Sequence, residues 1–144
     1  MIEILQASSA SISDITGLLK ELDLVIEGVE QNIDDFRILV EKNTLIGCIG
    51  LEIYGSMALL RSIAVHPAYQ KKGYGQMLLQ DIERYALQKG VDELFLLTDT
   101  AERFFKKYGY SLHDRSKVPP SIAATQEFSN LCPASSSFMR KELK

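Results

Sequence analysis

Two cysteines are all that this chain of 144 residues contains. Cys48 and Cys132 stand far apart and lack the short spacings of metal-binding pairs. Neither a disulfide framework nor a metal site is therefore expected, and a reducing, cytoplasmic setting fits them. Long apolar runs are also missing: none approaches the roughly 20 residues that cross a bilayer, and the N-terminus has no basic stretch leading into an apolar one, so neither membrane nor export is expected. Positive charge is not in excess, with 16 Lys and Arg against 19 Asp and Glu. That removes the bulk-charge argument for nucleic acid as a partner. Repeats, linkers and low-complexity stretches are absent too. The 46% hydrophobic and 24% charged residues are ordinary for one globular domain over residues 1–144.

What is present reads as alternating strands and helices. Met1 to Gln6 is strand-like, and Ser8 and Ser9 offer an N-cap to a helix whose apolar face is Ile12, Ile15, Leu18, Leu19 and Leu22. Asp23 to Asp35 fits either a short helix or an ordered loop. Phe36 to Glu41, Leu45 to Tyr54 and Met57 to Val65 form a three-strand meander with turns at Lys42-Asn43-Thr44 and Gly55-Ser56. A helix runs from Gly73 to about Gln88, stopped at Gly90. The continuous apolar run within Val91 to Thr98 suits a strand buried on both faces. Thr98-Asp99-Thr100 caps a helix carrying Phe104, Phe105 and Tyr108. A brief strand at Tyr110 to His113, a short helix from Pro119 to about Phe128 and a last strand over Ser135 to Leu143 complete an α/β domain with a mixed, mostly antiparallel sheet.

The run from Leu59 to Leu79 organises the rest. A strand ends at Val65-His66-Pro67, because proline has no N–H for the ladder. Gln70-Lys71-Lys72-Gly73-Tyr74-Gly75-Gln76 then leads into the first turn of a helix. Gly73 and Gly75 let backbone approach a ligand closely, and unpaired N–H groups at a helix start attract anions. Lys71 and Lys72 add local positive charge. These features suit a phosphate; without the surrounding context they would equally describe a strand-to-helix turn.

The arrangement resembles the acetyl-CoA signature of the GNAT N-acetyltransferase superfamily, Gln/Arg-x-x-Gly-x-Gly/Ala after a strand ending in Val-x-Pro. The resemblance covers essentially the whole chain. It implies a GNAT-like fold and an enzyme that moves acetyl from acetyl-CoA to an amine by direct transfer. It also implies that the backbone of Ile63, Ala64 and Val65 pairs with the pantetheine arm, that Gln70 through Gln76 hold the pyrophosphate, and that Thr98 contacts the pantetheine where an asparagine often does. A narrower similarity rests on Leu97-Thr98-Asp99-Thr100-Ala101-Glu102-Arg103-Phe104-Phe105 and on the tail from Val118 to Ser136. It points to the arsenic-resistance-type and amino-acid N-acetyltransferase branch. A small amine or amino-acid-like acceptor is then the expected partner, and a homodimer is compatible with it.

Two family positions are altered. Leu59 stands where many members carry a glutamate base, and Phe105 where many carry a tyrosine that protonates the leaving thiolate. Tyr108 is offset by nearly one helical turn and reads as a packed aromatic. Glu52, on the preceding strand, is the candidate base, unless it is simply a solvated strand residue. Arg61 is the candidate contact for an acceptor carboxylate, unless it makes an ion pair with Glu52 or another acid. Strict alternation puts Leu59, Arg61, Ile63 and Val65 on one face of their strand. His66 and Cys132 read as structural, and His113 carries no signal. Acylation of protein termini or lysines, and a non-catalytic acyl-CoA-binding module, stay open as alternatives.

Overall fold

The computed structural model describes residues 1–125, 128 and 136–144. Seven strands form one sheet in the order β1-β2-β3-β4-β5-β7-β6. They are β1 (Ile2–Gln6), β2 (Phe36–Glu41), β3 (Thr44–Tyr54), β4 (Met57–Val65), β5 (Glu93–Thr98), β6 (Ser111–Leu112) and β7 (Ser137–Glu142). Every neighbouring pair is antiparallel except β4 and β5, so the sheet is mixed and mostly antiparallel, as expected. The helices are α1 (Ile12–Glu21), α2 (Tyr74–Gln88), α3 (Glu102–Lys107) and α4 (Pro120–Ala123). Among the described residues, no helix is long and apolar enough to cross a membrane.

The meander follows its turn chemistry. Lys42 and Asn43 both adopt positive φ, the conformation of a tight two-residue hairpin that matches strand twist. Ile38 and Val40 join α1 residues Ile15, Leu18 and Leu19 in a core on one face of the sheet. Leu39 faces the other way, into a core with Leu78, Leu79, Ile82 and Ala86 of α2. A third cluster gathers Leu59, Phe95, Ile122 and Phe138. Each face is thus covered by a helix, and on the α1 face the covering residues Ile15, Leu18 and Leu19 belong to the apolar stripe that the helical spacing predicted.

Some boundaries differ from the sequence reading. β5 begins at Glu93 because the Val91 N–H closes the C-terminus of α2 on Ala86 O and the Asp92 N–H bonds Ser56 O. The segment 22–35 is a loop with one short 3₁₀ turn at Ile33–Asp35, anchored by the buried Val29. α4 spans Pro120–Ala123; its expected continuation through residues 126 and 127, the start of the last strand at Ser135, and Cys132 lie outside the described residues.

The alternation expected along β4 is also interrupted. Ser62 sits at φ +60 in a bulge, where the register moves from Cys48↔Ala64 to Gly50↔Arg61. One extra residue reverses the facing of everything beyond it. Ala64 consequently packs on the α1 side, while Ile63 and Val65 pack with Leu60 on the α2 side. Leu59 and Arg61 therefore do not share a face with Ile63 and Val65.

Gly50 permits this close packing beneath β4, since a Cβ there would overlap the ring of the fully buried Phe36. Gly50→Ala is expected to destabilise the fold by about 1 to 3 kcal/mol through overpacking. A urea-unfolding midpoint equal to that of the wild type would show that the ring moves aside without cost.

Candidate active site

β4 and β5 stay paired only over Met57–Leu59 and Glu93–Phe95. Beyond that point β5 continues against β7, and β4 continues against β3. Among the described residues, no strand pairs with the β5-facing side of β4 from Leu60 to Val65. Ile63, Ala64 and Val65 lie along this open wedge. It ends at Pro67, where His66 Nδ1 accepts the Ala68 N–H at 3.1 Å and turns the chain. His66 is thereby occupied in shaping the loop.

The loop then presents backbone. Lys71 lies at φ +64 and Gly73 at φ +86, two left-handed residues that swing the chain into α2. Gly73 is the N-cap, so the N–H groups of Tyr74, Gly75 and Gln76 open the helix without carbonyl partners inside it. A Cβ on Gly73 would meet nothing within 4 Å, which leaves its surface clear, while a Cβ on Gly75 would come to 3.4 Å from the Phe104 ring. Lys71 and Lys72 are exposed, and Lys72 Nζ stands 5.9 Å over the Tyr69 ring. The Gln70 side chain donates to Val65 O at 2.9 Å, tying the loop to the strand end. Thr98 Oγ1 accepts the Ala101 N–H at 3.0 Å, and its own hydroxyl hydrogen can still be donated.

Glu52 pairs in register with Leu59, the last β4 residue held by β5. Cross-strand partners share a face, so this carboxylate occupies the neighbourhood of the altered family position from one strand away. It is buried, at 7% exposure, which rules out a solvated strand residue. Glu52 Oε2 accepts from Arg61 Nη1 at 2.6 Å and Glu52 Oε1 from the Tyr54 hydroxyl at 2.7 Å. Arg61, 4% exposed, also donates Nε–H to Ser62 Oγ at 3.0 Å and Nη2–H to Val25 O at 3.4 Å. The ion pair weighed for Arg61 is therefore formed.

The loop before β2 roofs this pair. Gly28 lies at φ +88, and a Cβ on it would come within 2.6 Å of Arg61 Nη1. Burial, reinforced by the Glu52 hydrogen bond and charge, pushes the Tyr54 phenol above its ordinary range. On the other side of Arg61, burial pushes the Cys48 thiol up to about 12 despite the guanidinium, and the thiol donates to Ser62 O at 3.2 Å. Phe105 is buried with Tyr110 in the α2-side core, and Tyr108 meets the Phe104 ring edge-on. Tyr54, Gly28 and the Ser62 bulge had escaped the sequence reading. Only Tyr54 had a usable signal, being two residues from Glu52 on the same strand face.

A wedge between parallel strands that opens onto a glycine-rich helix start defines the class, that of the acetyltransferase domains. Residues 33–112 match the family model described as the acetyltransferase (GNAT) domain, and the chain belongs to that family. Over 122 residues it is 33% identical to an amino-acid acetyltransferase of Proteus mirabilis, a match covering 76% of this chain and 28% of that protein. The structure aligns with N-acetylglutamate synthase from Neisseria gonorrhoeae, solved with coenzyme A and N-acetyl-glutamate, at TM-score 0.86 and 25% identity. That alignment takes in 100% of this chain and 35% of the other. A GNAT-family acetyltransferase from Staphylococcus aureus aligns at TM-score 0.82 and 17% identity over 100% of both chains, a likeness of fold. The chain spans less than a third of the length of the curated relatives it matches.

Two outcomes check the site. Gly73→Val places a β-branched side chain at a left-handed position on the anion-facing surface, and should weaken coenzyme A binding by about tenfold or more; unchanged affinity by calorimetry would reject the loop assignment. Arg61→Leu should destabilise by about 3 to 5 kcal/mol, and the double change Glu52→Leu/Arg61→Leu by much less, because the single change strands a buried charge. Equal losses in chemical denaturation would show that the pair contributes through its packing instead.

Proposed function

We propose that residues 1–144 act as one N-acetyltransferase domain that transfers acetyl directly from acetyl-CoA to the amine of a small amino-acid-like acceptor. The observation that carries this reading is the buried Glu52 carboxylate beside Leu59, at the point where β4 and β5 part. An amine entering there attacks the thioester carbonyl. The C–N bond forms, the C–S bond breaks, the amine proton passes to Glu52, and the departing thiolate takes a proton from water. Binding the two reactants side by side supplies much of the acceleration, which is compatible with phenylalanine at position 105.

In this reading, the backbone of Ile63, Ala64 and Val65 lies along the pantetheine arm and Thr98 contacts it from β5. Gln70, Lys71, Lys72, Gly73, Tyr74, Gly75 and Gln76 hold the pyrophosphate, the lysines by charge and the helix start by its N–H groups. Arg61 contacts the acceptor carboxylate. Its hydrogen bond to Val25 O, at 3.4 Å longer than those to Glu52 and Ser62, is the one that such a carboxylate would replace. The amino-acid acceptor is supported by the name of the Proteus relative and by the N-acetyl-glutamate bound in the Neisseria structure.

The test is an acceptor panel of free amino acids, amino-acid analogues and short peptides, read by coenzyme A release and by product mass. Free amino acids or their analogues should lead peptides by at least about tenfold in kcat/KM. Preference for peptides would move the assignment to protein acylation. Coenzyme A binding without turnover of any amine would make the domain an acyl-CoA-binding module.

A further inference from the structure

Tyr54 lies on β3 two residues beyond Glu52, so both side chains project from the same face of the strand. Its ring packs against the cluster of Leu59, Phe95, Ile122 and Phe138, while its hydroxyl reaches Glu52 Oε1 at 2.7 Å. Arg61 donates to the other oxygen at 2.6 Å. Two donors from two strands hold one buried carboxylate in a fixed plane. They leave its remaining lone pairs for a further proton-bearing partner, since an ionised carboxylate offers about four acceptor sites. Arg61 alone fixes one oxygen and would let the group turn about that bond. The Tyr54 contact removes this freedom.

We propose that Tyr54 is a positioning residue for acetyl transfer: its hydroxyl fixes the orientation of the Glu52 carboxylate toward the amine proton that it receives. The inference rests on the reading of Glu52 as the base. Among the described residues, the titratable and charged groups recorded around this carboxylate are Tyr54 on its own strand, Arg61 from β4 and, beyond Arg61, Cys48. The roofing loop contributes the backbone of Val25 and Gly28.

Tyr54→Phe removes only the hydroxyl and keeps the packed ring. Wild type, Tyr54→Phe, Glu52→Gln and the double variant are compared with acetyl-CoA and L-glutamate as substrates. In Tyr54→Phe kcat should fall by about tenfold, the size of a lost charge-assisted hydrogen bond. The KM for acetyl-CoA and the urea-unfolding midpoint should hold, and Tyr54→Phe should add nothing to Glu52→Gln. An unmoved kcat overturns the proposal, leaving Tyr54 as packing alone. If L-glutamate is not turned over, the acceptor that leads the panel replaces it, and no turnover of any amine rejects Glu52 as base and the Tyr54 role with it. Glu52→Gln with wild-type turnover does the same. Loss of activity in Glu52→Gln with an unmoved kcat in Tyr54→Phe rejects Tyr54 alone.

Discussion

The parting of two parallel strands after a single short stretch of pairing is the constraint on which this molecule depends. β4 is held by β5 only as far as Leu59, yet it must remain a strand for six more residues to reach the loop at Pro67. Among the described residues its backbone on that side then has no strand partner, and buried backbone groups need hydrogen bonds. An open edge of this kind is one that an extended segment can complete in the way a strand would. The helix start at Gly73 terminates the same track, so the open strand edge and the N–H groups of the first helical turn are consecutive parts of one surface.

The bulge at Ser62 reconciles two demands on β4. Before it, Leu59 and Arg61 face the side roofed by the loop around Gly28; after it, Ile63 and Val65 turn toward α2 and close the core beneath that helix. A regular strand would have sent Arg61, Ile63 and Val65 in one direction. Either the guanidinium would have entered the α2 core, or two aliphatic side chains would have lost it. The cost is a non-glycine residue at positive φ. The Arg61 Nε–H bond to Ser62 Oγ and the Cys48 thiol bond to Ser62 O surround that residue on both sides.

Most of the architecture was legible because it rests on periodicity and turn chemistry. The i, i+3, i+4 stripes of α1 and α2, the Lys42-Asn43 turn and the glycine joint at 73–75 are local signals, and local signals survive folding. The bulge was not legible: Ser62 is an ordinary strand residue in sequence, and its conformation follows from pairing with residues more than ten positions away in β3. The segment 22–35 was ambiguous for a related reason, since its shape is set by Val29 in the α1-side core and by Gly28 against Arg61, both tertiary contacts. At the site, Glu52 and Arg61 were found by residue type and strand position. That they meet each other depended on the Gly50↔Arg61 and Glu52↔Leu59 register, which spacing alone could not supply.

The loss of the usual base position at Leu59 has a physical counterpart in the same register. Leucine there packs with Phe95, Ile122 and Phe138, adding an apolar side chain to the floor where the two strands separate. A carboxylate at that position would have to be desolvated inside this cluster, whereas at Glu52 it is met by a guanidinium and a phenol. A buried charge is tolerable only when paired and hydrogen-bonded. A carboxylate on β3 thus stands beside the wedge while the hydrophobic floor stays intact. The altered position and the charged cluster are two sides of one packing solution, and each makes the other stable.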